Sequence, residues 1–378
     1  MDSNIEIKHW DDLNINTNLL RGIYSHGFEK PSEIQKKAIY PIINKKDVIA
    51  QAQSGTGKTG AFSISSLQSI DTSLLQTQVM IIVPTRELVT QINKVMKALS
   101  DFMENVSIKI LVGGTSVAND IEDLKSPPHI IIGTPGRIYD MIKRKKINML
   151  TIQLFILDEA DEMLSRGFKE QIHTIFQYLH ENVQVAIFSA TFPTEVMDLT
   201  NKFMNNPEKI TIKKENLTLD GIQQSFIATA NDHEKLNWLI TIYKQYNGGQ
   251  SIVFVNDINR VTALYNEMKN NGFSVGCMHS SLSKDERADV LQSFVNGNEN
   301  ILISSNIIAR GIDVHQVNLV INFDIPNSVH TYLHRIGRSG RWGRKGNAIN
   351  FVSERDIENM RKIEHHYEIT INEFTNII

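Results

Sequence analysis

Short apolar runs rich in β-branched residues recur along the first half of the chain, at 48–50, 79–83, 108–112, 130–132, 154–157 and 185–188. Stretches with helical spacing, such as 87–102 and 168–179, lie between them. This alternation predicts a parallel sheet with crossover helices. A second series follows at 226–228, 252–255, 275–278, 301–304, 319–322 and 348–352, so two sheets are expected. The polar stretch between the series reads as a short linker. The expected organisation is an N-terminal domain at 1–212, a linker at 213–221 and a C-terminal domain at 222–378. Ligands of α/β sheets collect outside the carboxyl ends of the strands, so the residues that follow each run are where chemistry is expected.

Composition narrows the picture. The 378 residues are 41% hydrophobic and 21% charged, ordinary globular usage for about two domains. A formal net charge of −3 argues against a protein that coats nucleic acid through bulk basicity. If the chain binds RNA, the positive groups must be local. The single cysteine, Cys277, excludes an internal disulfide and reads as a small buried strand residue of a reducing compartment. Residues 1–10 mix acids with apolar residues, unlike a signal peptide, and no run is long enough to span a bilayer. A soluble, intracellular, monomeric protein with no membrane partner is expected.

Ala52-Gln53-Ser54-Gly55-Thr56-Gly57-Lys58-Thr59 follows a predicted strand and precedes a helical pattern, the context a phosphate-binding loop requires. Gly55 and Gly57 let backbone N–H groups wrap phosphate oxygens at a helix N-terminus. Lys58 is placed to reach the β and γ phosphates, and the Thr59 hydroxyl to help hold Mg²⁺. The first position is Ala52 rather than the glycine of the general pattern, and a plain Gly-rich turn is the blander reading. Leu157-Asp158-Glu159-Ala160-Asp161 ends another run. There Asp158 can coordinate Mg²⁺ through water and Glu159 can orient or deprotonate an attacking water. Adjacent acids usually mark only a solvated turn; a phosphate loop upstream reverses that preference. Together the two segments describe an NTP hydrolase.

Asp158-Glu159-Ala160-Asp161 resembles the signature of the DEAD-box helicases, and further segments match that family's motifs in order from about Trp10 to the C-terminus. Leu20 to Pro31, Glu162-Met163-Leu164-Ser165-Arg166-Gly167-Phe168 and Leu217-Thr218-Leu219 look like the translation initiation factor 4A type, including its exon-junction paralogue. The resemblance implies two tandem RecA-like α/β domains with parallel sheets. Gly27-Phe28-Glu29-Lys30-Pro31-Ser32-Glu33-Ile34-Gln35 is similar to the family's Q motif, in which the glutamine amide reads adenine by donating and accepting at once. By resemblance an upstream aromatic packs on the base; here it is Trp10, where phenylalanine is usual. Ser189-Ala190-Thr191 matches the tripeptide that links the acidic site to RNA binding.

The resemblance also assigns RNA-backbone contacts to Pro84, Thr85 and Arg86, to Gly113 and Gly114, and to Thr134, Pro135, Gly136 and Arg137. Hydroxyls, N–H groups and arginines suit phosphates and 2′-hydroxyls rather than base edges, so binding independent of sequence is expected. Ordinary turns with helix-capping chemistry are the alternative for each. In the second half Arg287 matches a backbone-contacting arginine, and Ser305 replaces a phosphate-contacting threonine. Ser280 stands where the family has glycine, Asn306 where many relatives have Asp, and Asp257 where threonine is common. A carboxylate at 257 facing phosphate would repel it. His334-Arg335-Ile336-Gly337-Arg338-Ser339-Gly340-Arg341 is a basic surface on the plainest reading. By resemblance His334 couples the domains, while Arg338 and Arg341 reach the γ-phosphate, an effect worth about 10³ to 10⁵ in turnover where such fingers have been measured. Gly311 and Asp313 fall in the segment that binds ribose, and Arg310 bridges to the acidic motif.

The expected function is an ATP-dependent RNA helicase of translation initiation that uses ATP and Mg²⁺. Domain closure around nucleotide and single-stranded RNA would assemble the hydrolytic site and separate short duplexes. An ATP-dependent RNA clamp in an exon-junction-like assembly, and a DNA-translocating relative, are the alternatives. A scaffold of the initiation factor 4G type or exon-junction proteins are the implied partners. The cytoplasm is the expected compartment, with the nucleus as the alternative.

Overall fold

The computed structural model describes residues 7–52, 56–165, 167–212, 222–246, 249–306, 317–339 and 346–374. The chain divides into two compact units, Met1–Lys213 and Lys214–Ile378, and the expected linker falls outside the described residues. The first unit contains strands β1 (Val48–Gln51), β2 (Val79–Ile82), β3 (Ile108–Leu111), β4 (Ile130–Gly133), β5 (Leu154–Asp158), β6 (Gln184–Ser189) and β7 (Glu208–Thr211). They form one parallel sheet in the order β3-β4-β2-β5-β6-β1-β7. The second unit repeats the plan with β8 (Ile222–Ala228), β9 (Ser251–Phe254), β10 (Val275–Met278), β11 (Ile301–Ser304), β12 (Leu319–Asn322), β13 (Gly346–Val352) and β14 (Asn372–Glu373). Its order is β10-β11-β9-β12-β13-β8-β14, again parallel. Among the described residues each sheet has seven strands.

The central strands read as unbroken apolar runs because helices cover both faces. In the first unit Val79, Ile81, Ile132 and Phe188 face one apolar cluster, while Met80, Ile82, Ile131 and Ile187 face another. Helix starts are set by side chains that accept from their own first turn: Asn16 before Thr17–Ser25, Thr85 before Arg86–Leu99, Asn231 before Asp232–Gln245 and Ser283 before Lys284–Val295. Gly22 lets two helices touch, since a Cβ there would lie 1.9 Å from the Leu99 carbonyl oxygen.

The twelve apolar runs all become strands, with ends shifted by a few residues at most. Two strands had no such signal. β7 is an edge strand on which only Ile210 is buried, and β14 is a two-residue exposed edge. No helix among the described residues is long and apolar enough to cross a membrane.

Candidate functional site

Parallel pairing places every strand's carboxyl end on one edge of its sheet. In the first unit β5, β6 and β1 are neighbours, with Asp158 opposite Phe188 and Gln51 opposite Ser189. The acidic segment, Ser189 and the phosphate loop therefore leave adjacent strand ends. Gln53, Ser54 and Gly55 lie outside the described residues. Ala52 donates its N–H to the Ser189 carbonyl at 3.0 Å, which ties the loop's start to β6. Thr56 is half-buried. Gly57 has φ +101° and caps the helix Lys58–Ser69, a conformation that favours glycine.

The Q-motif glutamine sits directly on this loop. Gln35 is 4% exposed; its Nε2 donates to the Gly57 carbonyl at 3.2 Å and its Oε1 accepts from the Ser32 N–H at 2.7 Å. An amide has two donors and two acceptor lone pairs, so one of each remains beyond these two bonds. Space here is tight. A Cβ at Gly57 would meet Ser32 Oγ at 2.6 Å and Gln35 Nε2 at 2.9 Å, and one at Gly60 would meet Gln35 Nε2 at 2.5 Å and Phe28 Cε2 at 3.1 Å. The structure corrects the expectation for Trp10. Its side chain is fully buried in the first unit's core, its Nε1–H donates to the Phe28 carbonyl at 2.8 Å, and its ring stacks on Phe28. A closed-in indole has no face for a base, so Trp10 supports the half-buried Phe28 from behind.

Lys58 Nζ lies 4.0 Å from Asp158 Oδ1, both side chains buried. Burial pushes the Asp158 carboxyl up from its ordinary range, and the Lys58 ammonium opposes that shift. Asp158 Oδ1 also accepts from the Glu159 N–H at 3.0 Å. Glu159 holds φ +56°, a region costly for a residue with a side chain, in keeping with strain stored at a working site. Ser189 and Thr191 act on the fourth residue of the segment. Asp161 donates its N–H to Ser189 Oγ at 3.3 Å and accepts from Thr191 Oγ1 at 2.7 Å. Asp158, Glu159, Asp161 and Glu162 are all buried, so this end of β5 is rich in acid. A divalent cation between Asp158 and a phosphate chain fits that donor set, because it would favour the ionised carboxylate. Thr59, half-buried in the first helical turn, supplies a hydroxyl nearby in the chain. Among the described residues no cluster of three or more His, Cys, Asp or Glu side chains is arranged to hold a metal.

The other half of the same edge carries the segments expected to meet RNA. β3, β4 and β2 are neighbours, with Ile82 and Leu111 both opposite Gly133, so Pro84 to Arg86, Gly113-Gly114 and Thr134 to Arg137 emerge side by side. Pro84 and Thr85 are buried, and Thr85 Oγ1 accepts from the Leu88 N–H at 3.2 Å, leaving its own proton to donate. The Arg86 guanidinium lies over the diglycine. A Cβ at Gly114, whose φ is +77°, would meet Arg86 Nη1 at 2.6 Å, and one at Gly113 would meet Nη2 at 3.5 Å. Thr134 is half-buried, Pro135 is buried as the first residue of the helix Pro135–Lys143, and Gly136 is exposed. Arg137 requires a second correction. It is buried, ion-paired with Asp120, and bonded to Thr115 Oγ1 at 3.1 Å and the Thr115 carbonyl at 2.8 Å. Its guanidinium is thus spent inside the protein, where it anchors the loop after Gly114 instead of presenting charge to phosphate.

In the second unit Arg310, Gly311, Asp313 and Arg341 lie outside the described residues. β10, β11, β9 and β12 are neighbours, with Met278, Ser304, Phe254 and Asn322 aligned at their ends. Ser280, half-buried Ser305 and Asp257 follow those ends, and Arg287 is half-buried in the helix Lys284–Val295. Asp257 does not face outward as a lone charge. Its Oδ1 accepts from the N–H groups of Asn259 at 2.9 Å and Arg260 at 3.2 Å, capping the helix Ile258–Asn270. His334 is buried, and so is Arg338, whose Nε–H reaches the His334 carbonyl at 3.4 Å. Sequence reasoning missed Arg335. It is fully buried and donates to Asn306 Oδ1 at 2.8 Å, Asn322 Oδ1 at 3.1 Å, the Asp324 carbonyl at 2.7 Å and Asn256 Oδ1 at 2.6 Å. Burial lowers its pKa to about 9, against the opposing charge of Asp324, and it stays a cation at neutral pH. The signal was helical spacing: on the helix Val329–Ile336, Arg335 lies three residues after the buried Tyr332 and next to the buried Ile336.

Comparison with known proteins agrees with this geometry. The DEAD/DEAH box helicase model matches residues 32–199, and the helicase conserved C-terminal domain model matches residues 234–343. The chain is 49% identical over 372 residues to eukaryotic initiation factor 4A of Caenorhabditis elegans, covering 98% of this chain and 92% of that one. It is 48% identical over 367 residues to the ATP-dependent RNA helicase eIF4A of Schizosaccharomyces pombe, covering 97% and 93%. Among solved structures it resembles S. cerevisiae Dbp5 bound to RNA and ADP BeF3, with TM-score 0.89, 32% identity and coverage of 97% and 95%. It also resembles Mss116p bound to ssRNA and AMP-PNP, with TM-score 0.88, 27% identity and coverage of 99% and 81%. Near-complete coverage at such identity, on a sheet edge that carries the motifs in family order, means that the chain belongs to the DEAD-box family of ATP-dependent RNA helicases, in its initiation factor 4A branch.

Proposed function

We propose that the two halves of the first sheet's carboxyl edge divide the work of this helicase: β5, β6 and β1 hold ATP, while β3, β4 and β2 hold the RNA backbone. The observation that carries the proposal is the shared edge itself, with Lys58 4.0 Å from Asp158 at one half and Arg86 packed over Gly114 at the other. Gln35 reads adenine beside Phe28, and Ala52, Gln53, Ser54, Gly55, Thr56 and Gly57 wrap the phosphates. Lys58 neutralises charge on the phosphate chain, Thr59 and Asp158 would hold Mg²⁺, and Glu159 takes the proton of the attacking water. The ion supplies charge neutralisation at the phosphates when bound.

Thr85 and Thr134 hydroxyls, exposed Gly136, and Arg86 carry RNA contacts on the first unit; Arg287 and Ser305 carry them on the second. Asp161, held by Ser189 and Thr191, passes the state of the acidic segment to β6. Arg338 and Arg341 act on the γ-phosphate, with Gly311 and Asp313 at the ribose and Arg310 and His334 as couplers. The branch to which the chain belongs supports a role in translation initiation, with the cytoplasm as the proposed compartment and a monomer on a scaffold of the initiation factor 4G type as the proposed assembly. Backbone-directed contacts make RNA the activator irrespective of its sequence. Steady-state phosphate release should rise with an oligoribonucleotide and stay near basal with the deoxyribonucleotide of the same sequence; equal stimulation by both would contradict the RNA half.

A further inference from the structure

Half of the large apolar side chains that stand exposed on the described residues gather at one end of the first unit: Leu74, Leu75, Leu150 and Tyr178, at 43%, 78%, 75% and 47% exposure. Leu75 and Tyr178 line a groove of about 670 Å³ whose floor is Leu124, Ile142, Ile147 and Met149. The groove is formed by residues that precede β2, β4 and β5. It therefore lies at the amino ends of these strands, on the opposite edge from the nucleotide and RNA segments.

The apolar rim is held rigidly. Gln78, 1% exposed, accepts from the Asp71 N–H and donates to the Asp71 carbonyl, both at 2.8 Å, closing the loop that carries Leu74 and Leu75. Asn148 Oδ1 accepts from the Leu150 N–H at 3.1 Å, and Thr151 Oγ1 donates to the Thr77 carbonyl at 2.8 Å, fastening the Leu150 turn to the Leu75 loop. Side chains presented this way pay little ordering entropy on binding, and a clustered apolar patch marks an interaction site more often than scattered leucines do.

Charge selects the occupant. The lining has two lysines, Lys145 and Lys146, and no acid, on a chain whose net charge is −3. Their neighbours are engaged, Arg144 with Asp140 at 2.8 Å and Lys143 over the Tyr139 ring. Lys145 and Lys146 are exposed and have no acidic partner among the described residues. An aliphatic floor with a basic lip suits leucine- or phenylalanine-type side chains flanked by carboxylates; it offers a nucleic-acid strand no stacking ring except Tyr178.

We propose that this groove docks an acidic, apolar peptide segment of a partner protein while RNA and nucleotide occupy the opposite edge. The test is selection of short random peptides, displayed on phage, against the full chain. Enriched peptides should pair glutamate or aspartate with two or more large apolar residues. Synthetic versions should lose about ten-fold or more in affinity for Leu75→Asp and for the Lys145→Glu, Lys146→Glu double variant. Both variants should keep parental RNA-stimulated phosphate release, which also shows that they are folded. No enrichment, enriched peptides without acids, or peptides that bind both variants as tightly as the parent would overturn the proposal. So would a matching loss of oligouridylate affinity in the lysine variant, which would assign the patch to RNA.

Discussion

Gly57 and Gly60, which have no side chains, make room for Gln35, and Trp10 fixes Phe28 beside it. The indole N–H to the Phe28 carbonyl is a bond that phenylalanine at position 10 cannot make. One net hydrogen bond of about 0.5–1.5 kcal/mol predicts that Trp10→Phe raises the KM for ATP about two- to ten-fold with little change in kcat; an unchanged KM would show that the tether is idle. Gly60→Ala separates fold from recognition. Alanine favours a helix over glycine by about 1 kcal/mol, yet its Cβ would lie 2.5 Å from Gln35 Nε2. The variant should melt no lower than the parent while losing discrimination between ATP and GTP in phosphate release. Retained discrimination would mean that Gln35 does not read the base from this position.

At the scale of elements, strand ends do the placing, and this is where sequence and structure part company in an informative way. The runs that became β1, β2, β4, β5 and β6 were legible because strands buried on both faces need continuous apolar residues, and the edge strand β3 because its Ile108, Ile110 and Leu111 still form an apolar run; β7 and β14 escaped because they bury little. The phosphate loop and acidic segment were legible from residue type and order. Arg137 was not, because a sequence cannot say that Asp120, seventeen residues upstream, sits where it captures the guanidinium. Likewise Asp257 looked like a repulsive charge until its helix start gave it two N–H donors. Removing Arg137 leaves Asp120 buried with Lys109 Nζ at 3.3 Å as its remaining cation. Arg137→Ala should therefore cost about 2 kcal/mol in urea unfolding of the first unit, less than the 3–5 kcal/mol of a fully orphaned charge; a loss below about 0.5 kcal/mol would put the pair among inert surface bridges. In the second unit the Arg260 guanidinium, against a smaller effect of burial, holds the Asp232 carboxyl below its ordinary range. Since the folded pKa is depressed, this contribution is present above the ordinary carboxylate value of about 3.9 and is lost as pH falls through the folded value. Arg260→Gln should flatten the fall in stability on acidification below about pH 4, measured by denaturant unfolding across a pH series; an unchanged slope would remove the pair from the acid response.

For the molecule as a whole, two seven-stranded sheets supply edges of different character. The first edge combines a buried ammonium, a buried carboxylate whose pKa is raised by burial, and a strained Glu159; the second gathers its polar loops around the buried Arg335. In the proposed function the first edge is the place where water attacks ATP, and RNA is the condition for that attack. Glu159 is the residue on which this claim turns. Single-turnover phosphate release from ATP, with saturating oligouridylate, tests it most directly in Glu159→Gln against the parent. The predicted result is a rate lowered about 10²-fold or more, with ATP affinity within a few-fold of the parent's. Release at the parental rate would contradict the account.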